Sequence, residues 1–220
     1  SLTYDITAWS LPYAHGFKAM ASTNKVSSRK DVIVDTSQIK IEKNAYAYLS
    51  KWNSLEDASF LAELLHKNIR VRFSEKDFSV EGNSYKKGTL IILKADNKKN
   101  EKFYNQITSI ARNNNRKIIP VNTGFVTKGK DFGSSSIKPI NNQKVAVISG
   151  KGTSSLSFGE IWHFFETQLH YPLTALDTDY LNRVDLNKYD VLIIPNGYYS
   201  TILNKSGLKK INNFVQAGGT

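Results

Sequence analysis

The chain has 220 residues, 40% hydrophobic and 22% charged, which suits a globular protein that buries its core in one large or two small domains. With no cysteine it excludes disulfides, thiol nucleophiles and cysteine metal sites, and leaves the redox compartment open. The net charge of +11 lies entirely before residue 160, because residues 160–220 carry five Lys/Arg against six Asp/Glu.

The basic residues come mostly as lysines in ones and twos, as in Lys86–Lys87, Lys98–Lys99 and Lys128–Lys130, without interleaved aromatics. That pattern describes a solvated lysine-rich surface rather than a nucleic-acid footprint. No apolar run approaches the roughly 20 residues of a membrane span, and none resembles a signal peptide. The chain opens on SLTYDITAWSL, with core-type aromatics and no initiator Met, and so reads as a piece of a longer protein.

In chain order, Asp5–Gly16 reads as a short helix, Ser22–Lys30 as a polar linker and Val32–Val34 as a strand. Tyr46–Leu49 follows as a strand. Ser54, with Asp57 three residues on, resembles a capping box opening a helix through Leu61, Leu64 and Leu65. Ile69, Val71 and Phe73 alternate with Arg70 and Arg72 as in a half-buried strand. Phe78–Leu93 reads as two strands around a turn at Gly82–Asn83. A helix through Phe103, Ile107 and Ile110 and a strand at Ile118–Val121 complete a first α/β unit. Thr127–Pro139, rich in Gly, Ser and Lys, reads as the connecting loop to a second. The expected division is therefore 1–140, an N-terminal segment with the first unit, and 141–220, a second unit that is incomplete.

The second unit is built around Lys144–Pro172. Val145–Ile148 is a β-branched run that reads as a buried strand. Gly150 and Gly152 break it, and Ser154, Ser155 and Ser157 offer caps to a helix. Phe158, Ile161, Trp162, Phe165 and Leu169 fall on one side of that helix, expected to be buried, and Glu160, His163, Glu166 and His170 on the other. Leu173–Leu176 and Val191–Ile194 are further strands, Thr178–Leu186 a short helix or turn, and a last helix through Leu208, Ile211 and Val215 stops at Gly218–Gly219. Buried strands alternating with helices imply a parallel sheet, and right-handed crossovers should make Val145–Ile148 and Val191–Ile194 neighbours.

Three patterns bear on chemistry. His163 and Glu166 have the HxxE spacing of some zinc peptidases, but a third ligand would have to come from elsewhere, and His170 is the only His among the 57 residues that follow His163. The wet face of an amphipathic helix explains them better, so no metal site is expected. The glycine turn Gly150–Ser155 could cradle an anion on backbone N–H groups, although it matches neither the dinucleotide nor the P-loop fingerprint and a tight turn needs glycines anyway. Gly150, Gly152, Ser154, Ser155, Asn196 and Gly197, at the carboxyl ends of two strands, form the candidate ligand pocket. No GxSxG elbow exists for a serine nucleophile. His15 and His66 stand alone.

YDITAWSLPYAHGFKAM (4–20), YKKGTLII (85–92) and KVAVISGKGTSSLSFGEIWHFFETQLHYPLTAL (144–176) together resemble the non-catalytic C-terminal part of bacterial zinc carboxypeptidase-like metallopeptidases. DVLIIPNGYY (190–199) and INNFVQAGGT (211–220) are similar to the class I glutamine amidotransferase-like fold, a flavodoxin-like parallel sheet flanked by helices. The resemblance implies an accessory domain without catalytic residues of its own. Its partner would be an upstream peptidase domain of the same polypeptide, which would hold the zinc and hydrolyse peptides from the C-terminus in the periplasm or outside the cell. The alternative is an independent module binding a small anion or nucleotide at the glycine loops. Neither reading takes nucleic acid or a membrane span as a partner.

Overall fold

In the computed structural model the chain forms two compact units, residues 1–39 and 40–220, and the structure describes residues 12, 18–27, 41–200 and 202–220. The helix expected over Asp5–Gly16 and the strand over Val32–Val34 lie outside the described residues, apart from Pro12. In the linker, residues 22–27 are exposed and lack a helix or strand.

The larger unit begins with β1 (Ala47–Ser50), α1 (Leu55–His66), β2 (Val71–Ser74), β3 (Phe78–Val80), β4 (Asn83–Tyr85) and β5 (Leu90–Leu93). It continues with α2 (Phe103–Asn113), β6 (Ile119–Val121) and β7 (Ile137–Ile140). Five of these strands make one sheet in the order β6-β1-β5-β2-β7, antiparallel at every pairing. β1 shows why it holds. All four residues are buried, and alternation sends Tyr48 to one face and Ala47 and Leu49 to the other. On the Tyr48 face, α1 and α2 bring Phe60, Leu64, Phe103 and Ile107 onto Leu90 and Ile92. On the opposite face, the β3–β4 hairpin and Phe132 cover Ile91 and Leu93.

Two details correct the reading from sequence. The stretch Thr127–Pro139 is not only a loop, because Ile137–Ile140 pairs with β2 along the sheet edge. Pro139 hides this strand, since a residue without an N–H is tolerated only where no second neighbour needs one; Pro120, in the opposite edge strand β6, obeys the same rule. Phe78–Leu93 gives three strands, the first two forming a separate hairpin that turns at Glu81–Gly82, both at positive φ.

Local signals set the helix ends. The Asp57 carboxylate accepts from the Ser54 and Asn53 N–H groups at 2.8 and 2.7 Å, which is the expected box. After α1, Asn68 sits at φ 56°, and the N–H groups of Asn68 and Ile69 donate to the carbonyls of Leu65 and Leu64, a Schellman stop.

The second sheet has β8 (Val145–Ser149) in the centre, β9 (Leu173–Asp177) on one side and β10 (Val191–Ile193) on the other, all parallel. Val145 pairs with Val191 and Val147 with Ile193, so the two apolar runs are neighbours as expected. Between β8 and β9 come α3 (Ser155–His163) and a π turn (Phe164–Leu169), and α4 (Lys205–Gln216) follows β10. Phe214 of α4 packs with Ala146 and Ile148 on one face, while Phe165 and Leu169 lie with Val145 and Val191 on the other. α4 ends at Gly218, φ 99°, where the expected glycine stop falls. Beyond it the Thr220 N–H donates to the Asp190 carbonyl at 3.0 Å and its carbonyl accepts from Leu192 at 2.8 Å, the bond pattern of a parallel pairing on the outer edge of β10.

The burial expected for α3 is corrected. Phe158, Ile161, Trp162, Phe165 and Leu169 do share a side, but each is only half-buried, and neither α3 nor the π turn contains a buried residue. A three-stranded sheet is too narrow to cover the helix, and Ala175 beside Val147 is itself exposed.

Candidate functional site

The chain leaves β8 for one face of the second sheet and leaves β10 for the other, so the two loops part at a topological switch point. Gly150, Gly152, Ser154, Asn196 and Gly197 are brought together there. Gly150 and Gly152 take φ of 88° and 90°, conformations that glycine adopts without strain.

The two loops close on each other. The Ser154 N–H donates to the Asn196 carbonyl at 2.9 Å, and the Tyr198 N–H to the Gly152 carbonyl at 2.6 Å. Thr153 and Gly197 form a β-bridge, and the Asn196 N–H donates to Ser157 Oγ at 3.1 Å. A Cβ on Gly152 would strike the Tyr198 carbonyl, and one on Gly197 would strike the Gly152 carbonyl and the Tyr199 ring. These glycines therefore let two backbones touch. Ser154 caps α3 through its Oγ, which accepts from the Ser157 N–H at 3.4 Å, while Ser155 is exposed on the first turn.

Sequence reasoning missed Asp177 and Thr178. Asp177 ends β9, and its carboxylate lies where a Cβ on Gly150 would be. Thr178 Oγ1 donates to the Lys151 carbonyl at 3.1 Å, tying the β9 end to the same turn. A carboxylate beside the glycine turn opposes an anion there. The available signal was Asp-Thr-Asp directly after a strand, since switch-point sites form at carboxyl ends.

The HxxE pair points elsewhere. Glu166 Oε2 accepts from Trp162 Nε1 at 2.7 Å, so these two side chains meet one turn apart rather than lying on opposite sides, as residues four apart do on a helix. Thr167 Oγ1 lies 3.3 Å from the His163 ring nitrogens, and His170 Nδ1 is 2.9 Å from the Glu166 carbonyl. Among the described residues no three His, Cys, Asp or Glu side chains gather where they could hold a metal ion. His66 ends α1 and is exposed, and His15 lies outside the described residues. No described helix is long and apolar enough to cross a membrane.

Compared with protein-family models, curated proteins and solved structures, the chain matches none.

Proposed function

We propose that this chain is a non-catalytic accessory region of a zinc carboxypeptidase-like metallopeptidase, acting as scaffold or substrate-positioning surface. The peptidase assignment rests on the motifs at 4–20, 85–92 and 144–176. What supports the non-catalytic half most directly is the closure of the switch-point loops, where the Ser154 and Tyr198 N–H groups donate to carbonyls of the facing loop, the Asn196 N–H donates to Ser157 Oγ, and the Asp177 carboxylate stands beside Gly150. The same facts weigh against the alternative of a small-anion or nucleotide module. In this reading zinc, its ligands and the general base belong to the upstream peptidase domain, and the protein works in the periplasm or outside the cell.

The second sheet is taken as the opening of a flavodoxin-like, glutamine amidotransferase-like fold. In chain order its strands lie second-first-third, and the bonds of Thr220 to Asp190 and Leu192 extend the series on the side where that fold carries its next strand.

The test is hydrolysis of a panel of C-terminally varied peptides, with zinc added, by this chain and by the chain joined to its peptidase domain. The chain alone is expected to give no turnover and the joined protein to give turnover. Chelator-sensitive hydrolysis by the chain alone that Glu166→Gln removes would overturn the proposal. So would identical kinetics and stability of the peptidase domain with and without this chain.

A further inference from the structure

The turns beside the first sheet gather four cations into one hollow. Lys67 follows the last turn of α1, Arg70 leads into β2, and Lys98 and Lys99 follow the 3₁₀ turn Ala95–Asn97 after β5. All four line a polar hollow of about 630 Å³ and all are exposed. Among the described residues none of the four side chains has an ion pair or hydrogen bond. The one carboxylate in the wall, Asp96, is taken by Arg72 in a two-pronged pair at 2.7 and 3.0 Å.

The hollow is held by the fold. Asn97, 5% exposed, accepts from the Arg70 N–H at 2.8 Å and donates from Nδ2 to the Arg70 and Leu93 carbonyls, both at 3.0 Å. This buried amide clamps the entry of β2 to the turn that bears Lys98 and Lys99. The Schellman stop at Asn68 fixes Lys67 beside them and satisfies carbonyls at the end of α1 that would otherwise repel an anion. Like charges held together without counter-charges repel, and a bound anion relieves that cost.

We propose that this hollow is a binding site for a small, multiply charged anion of the di- or triphosphate type. No aromatic side chain lines it, so nucleic-acid bases would have no stacking platform, and charge alone would recognise the ligand. The site lies apart from the switch-point loops and is independent of the accessory reading.

Calorimetric titration of the 220-residue chain with inorganic tripolyphosphate tests it. One-to-one binding that weakens as salt rises is expected. Lys67→Gln with Arg70→Gln, and separately Lys98→Gln with Lys99→Gln, should each lower the affinity about tenfold or more and flatten the salt dependence. Lys128→Gln with Lys130→Gln, exposed lysines outside the hollow, should leave it within about twofold. No binding, or an equal loss in the Lys128/Lys130 variant, overturns the proposal. A single-stranded oligothymidylate that binds more than about tenfold tighter than tripolyphosphate also overturns it, in favour of a nucleic-acid surface.

Discussion

The two sheets of the 40–220 unit solve the burial problem to different degrees. In the five-stranded antiparallel sheet, central strands β1 and β5 are buried on both faces, under two helices on one side and a hairpin with Phe132 on the other. In the three-stranded parallel sheet only β8 is largely buried, β10 is half-buried throughout, and α3 overhangs with its aromatics partly in water. Apolar periodicity says which side of an element turns inward. How much protein meets that side depends on sheet width, which is a non-local property.

Truncating the deeper core should cost most. Phe60→Ala removes a ring that is 0% exposed between α1 and the first sheet, and should lose about 3–5 kcal/mol in denaturant unfolding. A loss below 1 kcal/mol would mean that this core is no better packed than the second.

Tyr48 supplies a pH signature for the same core. Its hydroxyl donates to the Glu42 and Lys43 carbonyls at 2.8 and 3.0 Å, and burial, with smaller contributions from Tyr104 and Glu42, pushes its pKa up from 10.0 to about 12. In the unfolded chain the phenol ionises first, so its stabilising contribution is complete below pH 10 and is lost as pH rises from about 10 to 12. The loss should be about 2 kcal/mol, and Tyr48→Phe should remove that part of the alkaline decline. Unfolding curves at pH 9 and pH 12 that differ equally in both proteins would overturn this assignment.

Trp162→Ala probes the shallower region. With the indole half-buried and stacked on Phe158 at 5.7 Å, the expected loss is about 1 kcal/mol. A loss matching that of Phe60→Ala would show that the second core closes as tightly as the first, and the contrast would fail.

What the sequence disclosed divides along the same line. The Ser54–Asp57 box, the glycine stop at Gly218 and the pairing of Val145–Ile148 with the 191–194 run are set within a few residues or by crossover handedness, and could be read. The antiparallel order of the first sheet could not, because β1 pairs with strands 40 or more residues away. β7 was masked by Pro139 in an otherwise loop-like stretch. At the switch point the glycines and Asn196 announced themselves as strand-end residues. Whether the two loops faced a ligand or each other depended on a loop-to-loop contact that no local pattern encodes.

Glu166→Gln should have the smallest effect, and it separates chemistry from packing on the exposed side of the helix that overlies the second sheet. Glu166 is exposed and Trp162 half-buried, and a Gln carbonyl can still accept from Nε1, so the substitution removes charge while keeping the geometry. Exposed polar bonds of this kind contribute little net stability, so the loss should stay below about 0.5 kcal/mol, with indole emission nearly unchanged. If instead Glu166→Gln costs as much as Trp162→Ala, the indole is held by that carboxylate rather than by contact with the sheet. The half-covered helix would then depend on a surface hydrogen bond where the first sheet depends on buried area.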